Sequence, residues 1–179
     1  MHRFRGHSDE GAQLVETAFA LPLLVVIAFG VVQFGMALNR SQGMEAVARE
    51  AARMVSIEDT PISSAQARAD ATAPEYVDVD DLSLTIERVL TYGDGSQVSH
   101  TWSWNPVTDT WSGGNASDVP CHDDLRPDPE TPPLATDLVN NVVIVQVELL
   151  NPQDYGVTVP LWGSADLSHP ALAEFQCEY

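Results

Sequence analysis

The stretch GAQLVETAFALPLLVVIAFGVVQFGMALN, residues 11–39, decides the fold of this protein. It has no charged side chain from Thr17 to Asn39, and Gln33 is the only strongly polar residue between them. About 20 apolar residues are enough to cross a bilayer as a helix. We therefore predict a transmembrane helix over residues 12–39. A buried helix of a soluble protein is the alternative, which the length and the lack of a polar face disfavour.

Pro22 is the one proline in this apolar stretch. A proline inside a helix removes one backbone hydrogen bond, which here frees the carbonyl of Ala18 and permits a local kink. Membrane helices also tolerate proline more often than soluble helices do. A kink at Pro22 and simple tolerance of the proline therefore both remain open.

The helical pattern continues past the apolar stretch, through residues 40–57. Its apolar residues recur at the spacing of one helical face. They are Met44, Val47, Ala48, Ala51 and Val55. Glu45 with Arg49, and Glu50 with Arg53, are spaced to form ion pairs on the helix surface. We predict one helix from about Ala12 to Ile57, whose second half is amphipathic and needs a partner surface, with Gly43 as its weakest position.

Residues 58–179 show mainly strand patterns. A short helix is predicted first, with Thr60 as N-cap and Pro61 as its first residue. Strands are then predicted in five segments: DLSLTIERVLTY, the hairpin HTWSWNPVTDTW, NNVVIVQVELL, DYGVTVPLW and ALAEFQCEY. The predicted fold class is α+β: a long N-terminal transmembrane helix continues into an amphipathic helix that packs on a small, mostly antiparallel sheet. The outer domain is residues 58–179.

The formal net charge is −18, and the chain contains no lysine. Such a charge repels nucleic acid, which excludes nucleic-acid binding. Arg3 and Arg5 precede the apolar stretch and favour a cytoplasmic N-terminus, whereas Arg40 after it argues weakly for the opposite orientation. Long domains cross a membrane largely regardless of charge. We therefore expect residues 58–179 to be extracytoplasmic.

The two cysteines, Cys121 and Cys177, both lie in the outer domain. An even number of cysteines on an oxidising side of a membrane favours one disulfide, although two separate thiols remain possible. A disulfide would tie the end of the chain to the long loop of residues 113–137. The spacing excludes a CxxC redox motif and a zinc ribbon.

Glu16 is an acid at the start of an apolar helix, where a charged group costs about 2.5–3.5 kcal/mol on insertion scales. Cleavage between Gly11 and Ala12 would give Ala12 a cationic amino group. Residues 12 and 16 lie one turn apart on the same helix face, so the carboxylate could meet this ammonium in the same or a neighbouring chain. A glycine before the bond would let an extended backbone enter a peptidase.

Several of these residues together carry a family resemblance. They are Gly11, Val15-Glu16, Leu21-Pro22-Leu23-Leu24, Phe34-Gly35 and Ala51-Ala52-Arg53. The first of them resemble a type IV prepilin processing site, and the combination over about residues 11–56 is similar to the TadE-like family. Members of this family are minor pseudopilins of tight-adherence (Flp) pilus systems. Thr17 is a departure, because many members carry an aromatic residue after the glutamate.

The resemblance implies a single-pass protein of the inner membrane. Residues 1–11 would be a leader cut by a prepilin peptidase, and residues 12–39 would span the bilayer. The protein would act in pilus assembly with other pilins or pseudopilins, priming or capping the filament. No enzymatic activity, cofactor, metal or small-molecule substrate is implied.

Three alternatives remain open. Gly35-Met36-Ala37 could be a signal-peptide cleavage site, which would release a secreted acidic binding domain beginning at Leu38. The helix could instead tether an adhesin with no pilus role, whose contact surface is the hairpin with Trp102, Trp104 and Trp111. Tryptophans in a small sheet are more often core residues.

A tethered enzyme is the third alternative. Its candidate residues are His100, His122, His169, Asp123, Asp124 and Asp128. No HExxH, GxSxG or paired metal motif accompanies them. Asp78, Asp80 and Asp81 resemble part of a calcium site but lack the glycine and distal glutamate of an EF-hand loop, so we interpret them as a solvated entry to a strand.

Overall fold

The computed structural model describes residues 8–122, 137–151, 157–159, 163–165 and 170–178. It begins with a 48-residue helix, α1 (Ser8–Val55), which runs without interruption through Pro22 and Gly43. This confirms the single long helix that the apolar and amphipathic segments predicted, with ends a few residues earlier. A second helix, α2 (Ile62–Thr72), and two single-turn 3-10 helices, Ala73–Glu75 and Val79–Asp81, lead into the sheet.

The sheet is antiparallel and has five strands in the order β3-β2-β1-β4-β7. These are β1 (Leu82–Tyr92), β2 (Gln97–Asn105), β3 (Thr110–Ser112), β4 (Leu138–Leu149) and β7 (Ala171–Gln176). Short strands β5 (Val157–Val159) and β6 (Gly163–Ala165) form a separate antiparallel pair. The predicted α+β class is confirmed, and the Gly93–Gly95 turn joins β1 to β2, with Gly95 at φ +82°.

The core lies between one face of the sheet, the inner face, and the two helices. All five residues of the predicted apolar face of α1 are buried in this core, and α1 packs against β4 and β7. The strand residues that complete this core include Leu82, Leu84, Ile86, Val143, Val145 and Val147. Alternation along each strand sends the intervening residues to the opposite face, which we call the outer face. The amphipathic half of α1 therefore has the partner surface that its pattern required.

The start of α2 differs from the prediction. Pro61, and not Thr60, is the N-cap residue, and no side chain caps the helix. The backbone N–H groups of Ile62 and Ser63 instead donate to the carbonyls of Asp118 and Ala116, at 2.9 and 3.1 Å. A helix N-terminus leaves its first N–H groups without partners inside the helix. Here the loop after β3 supplies them.

One of the two ion pairs predicted on α1 is confirmed and the other is wrong. Arg49 and Glu45 are paired at 2.9 Å. Glu50 does not pair with Arg53 but with Arg68 of α2, also at 2.9 Å. The partner differs because α2 packs beside α1 and brings the Arg68 guanidinium to Glu50. Two of the guanidinium nitrogens donate to one carboxylate oxygen of Glu50.

The segment 157–159, which falls within the predicted strand DYGVTVPLW, is β5, and it lies against α1. The neighbouring residues 152–156 and 160–162 lie outside the described part of the chain. Ala37 of α1 is only 5% exposed, although it falls inside the predicted membrane segment 12–39. Protein therefore covers one side of α1 from about this residue onward.

Candidate assembly site on the N-terminal helix

The described side chains in the first half of α1 present a largely exposed apolar surface. Its most apolar window has a mean hydropathy of 2.3, and none of that window is buried. Large exposed side chains occur on every side of the helix, among them Leu14, Phe19, Leu24, Ile27, Phe29, Val31 and Phe34. Apolar surface of this extent is costly in water and favourable in lipid. By length and composition, α1 can cross a membrane once.

Gly11 and Glu16 lie on this exposed helix, and both are open to the surroundings. Apart from its chain neighbours and the nearby backbone of the helix itself, no atom lies within 4 Å of the position that a Cβ on Gly11 would occupy. Ala12 is part of the helix, one turn before Glu16, so the spacing that places residues 12 and 16 on one face holds in the structure. Because α1 begins at Ser8, the Gly11–Ala12 bond is helical here, and an extended backbone at this bond requires the first turn to unwind.

Pro22 lies inside α1 and is exposed. The proline is therefore held within a continuous helix, six residues after Glu16. A functional kink at this position stays a prediction.

The far end of α1 is tied to the end of the chain. Cys121 and Cys177 are joined by a disulfide, with their Cα atoms 5.4 Å apart. The Glu178 N–H donates to the Ser56 carbonyl at 2.7 Å, and the Asp59 N–H donates to the Cys121 carbonyl at 3.0 Å. The end of α1, the loop after β3 and the residues after β7 thus form one cross-linked unit.

Trp102 and Trp104 are buried, at 3% and 6% exposure, and Trp111 is partly buried against the same core. This agrees with the core interpretation of the hairpin and leaves these indoles unavailable as an adhesive tip. The Trp111 indole N–H donates to Gln66 Oε1 of α2 at 3.1 Å. The hairpin therefore fastens α2 to the sheet.

Asp118 holds the loop after β3 against the sheet. Its Oδ2 accepts from the Trp102 indole N–H at 2.9 Å and from the Asn115 N–H at 3.0 Å. The hydrogen bond from Asn115 lowers the pKa of the Asp118 carboxyl most, and the bond from Trp102 and the nearby His100 lower it further. Sequence reasoning missed this aspartate, because only the fold brings it to Trp102, sixteen residues away.

Only some of the residues considered for catalysis or metal binding lie in the described part of the chain. Among the described residues, no group of three or more His, Cys, Asp or Glu side chains could hold a metal ion. His122 lies 3.7 Å from Asp59, and His100 contacts the Trp102 ring edge to face. Asp78 caps a 3-10 turn by accepting from the Asp80 N–H. Asp123, Asp124, Asp128 and His169 lie outside the described residues.

The described part of the chain is an α+β protein in which α1 is long and apolar enough to span a membrane. Residues 11–53 match the family model described as TadE-like protein, which confirms the resemblance that the sequence predicted. The match covers α1 from Gly11 to Arg53, which is 43 of the 179 residues of the chain. No curated protein and no solved structure gives a significant match.

Proposed function

We propose that this protein is a minor pseudopilin that takes part in assembling a tight-adherence (Flp) pilus. One observation supports the proposal most directly: the family match and the long helix cover nearly the same residues. The matched residues 11–53 are the residues that form one continuous helix, with an exposed apolar first half and an anchored second half. Such a helix can hold a subunit in the membrane and later pack among the helices of a filament.

The N-terminus of this helix would become the assembly site after processing. A prepilin peptidase would cut between Gly11 and Ala12, and the new ammonium of Ala12 would pair with the Glu16 carboxylate of the same or a neighbouring chain. Gly11 and Glu16 support this proposal because both are exposed, and because Ala12 lies one helical turn before Glu16. Pairing would offset the cost of placing Glu16 in lipid.

The orientation follows from the same scheme. Residues 1–11 would lie in the cytoplasm, residues 12–39 would span the inner membrane, and residues 58–179 would be extracytoplasmic. The Cys121–Cys177 disulfide supports this side for the outer domain, because such bonds persist in oxidising compartments.

The test is a pair of substitutions in the pilus-producing host. Gly11→Leu should leave an uncut precursor, whereas Gly30→Leu, which adds the same side chain at another open position of α1, should be cut normally. Glu16→Ala should be cut but should lower the number of pili. As a matched control, Glu45→Ala removes an exposed acid from the outer half of the same helix and should leave pili unchanged. Normal pili with Glu16→Ala would count against the ion pair.

A further inference from the structure

The net negative charge of this protein arises entirely from its outer domain. Residues 58–179 contain 21 of the 26 acidic residues and three of the eight arginines, so this domain alone has a formal charge of −18. Residues 1–57 contain equal numbers of acids and arginines and are formally neutral. A domain with this charge repels its own copies at distances up to about the Debye length of 8–10 Å.

The outer face of the sheet combines part of this charge with apolar side chains. In the register of β1, β4 and β7, Ile144 lies between Glu87 and Glu174 on the same row. Neighbouring strands lie about 4.8 Å apart, so each carboxylate is next to the isoleucine. Val142 and Leu172 extend the apolar centre along the two strands, and Glu148 flanks it on β4. We call these six residues the acidic-apolar surface.

The acidic-apolar surface is open to a partner. Leu172 is 58% exposed, Glu148 and Glu174 are exposed, and the other three residues are half-buried. The two helices pack on the inner face and not on this one. Among the described strand residues, the positions that share the outer face hold no arginine or histidine, because Arg88 and His100 alternate onto the inner-face side.

Charge decides which partner fits. A second copy would bring Glu87, Glu148 and Glu174 against their own equivalents, and like charges facing each other disfavour such a complex. An anionic bilayer is disfavoured for the same reason. We propose that the acidic-apolar surface docks onto a different protein, one that presents Lys or Arg side chains around an apolar centre. This inference rests on the proposed function in that the partner would be another subunit of the same assembly.

The basic groups of the partner would distinguish it from the other pilins that the acidic-apolar surface could meet. Partly desolvated carboxylates interact more strongly with a counter-charge than fully solvated ones do. The exposed Leu172 and the half-buried Ile144 would supply the apolar centre of the contact. The protein would then join a filament beside a basic subunit and not beside itself. This predicts a subunit that is incorporated sparsely.

The experiment places a photo-crosslinking amino acid at Leu172 of the full-length chain in the pilus-producing host. Val98, which is 53% exposed but alternates onto the inner-face side of β2, is the matched control position. Crosslinked peptides are identified by mass spectrometry. The expected result is an adduct at Leu172, absent at Val98, with a different protein whose crosslinked region is rich in Lys or Arg.

Charge reversal supplies the second readout. Glu174→Lys should lower the yield of the Leu172 adduct about tenfold or more. Glu45→Lys, the same charge change at an exposed position of α1, which packs on the inner face, should leave the yield unchanged. Glu174→Gln, which keeps the shape of the side chain, should give an intermediate loss. Thermal unfolding of each variant shows whether it folds.

Several outcomes would overturn the proposal. One is an adduct between two copies of this chain, and another is an adduct whose formation a chelator of divalent cations prevents. Equal adduct yields at Leu172 and Val98 would also overturn it, as would a partner whose crosslinked region lacks basic residues. The crosslink does not require pili. If it forms while Gly11→Leu and Glu16→Ala both leave pili normal, the proposed function fails and the docking surface stands. If pili need Glu16 but Leu172 gives no adduct, only the docking surface fails.

Discussion

Gly43 and Tyr76 are in direct contact where the segment after α2 returns to α1. A Cβ atom added to Gly43 would lie 2.1 Å from Tyr76 Cγ and 2.7 Å from Tyr76 Cβ. These are atoms close to the Tyr76 backbone, which cannot move aside by a rotation of the ring. The glycine therefore lets the outer domain pack against α1 just beyond the predicted membrane segment.

Gly43→Ala should destabilise the outer domain. The alanine gains about 1 kcal/mol of helix propensity, but overpacking against Tyr76 costs about 1–3 kcal/mol, so we expect a net loss of stability. Thermal unfolding of the full chain in detergent measures the change. Gly35→Ala is the control, because open space surrounds that position. An equal or higher melting temperature for Gly43→Ala would contradict the contact.

The sequence predicted the long helix, its buried face and most strands, because each of these depends on local periodicity. From its low helix propensity, Gly43 was predicted to be the weakest position of α1, whereas in the structure it is the point where α1 packs against Tyr76. The contacts of Gly43 with Tyr76, of Glu50 with Arg68 and of Asp118 with Trp102 all join distant parts of the chain. No local pattern contains that information. Gly11 and Glu16 of the candidate site could be recognised from the sequence because their proposed roles depend only on spacing along one helix.

Cys121→Ser or Cys177→Ser should destabilise the outer domain. The disulfide closes a loop with a sequence separation of 56, for which the chain-entropy model gives about 3–4 kcal/mol. It also holds the loop whose carbonyls cap α2, so the start of α2 should become less protected from hydrogen exchange. Either single variant should have the same effect as the double variant. The account of the loop is wrong if reductant leaves the melting temperature unchanged.

Asp118→Asn should make the outer domain less stable at neutral pH. The Asn115 N–H, the Trp102 indole N–H and His100 favour the charged carboxylate and lower its pKa below the ordinary value of 3.8. A lowered pKa in the folded state gives stability that is present above pH 3.8 and is lost as the pH falls through the folded pKa. The difference between wild type and Asp118→Asn should therefore shrink in acid. Denaturant unfolding at pH 7 and near pH 3 measures it, and a constant difference would contradict this role.

Asp70→Asn should have the opposite effect. Burial raises the pKa of the Asp70 carboxyl, and Asp109 raises it further, while a hydrogen bond with Gln66 opposes both. Any stability that the protonated form contributes is present below pH 3.8 and is lost as the pH rises through the raised pKa. At neutral pH the charged Asp70 is therefore a cost. Asp70→Asn should raise the melting temperature at pH 7 and bring little gain near pH 3, and a lower melting temperature at pH 7 would contradict this.

The most direct test of the central claim is the N-terminal sequence and intact mass of the protein isolated from its native membranes. Our account predicts a chain that begins at Ala12, with Glu16 as its fifth residue. A chain that begins at Leu38 would show a signal peptide and a secreted acidic domain. An intact Met1 in a host with an active prepilin peptidase would contradict the processing on which the proposed role in pilus assembly depends.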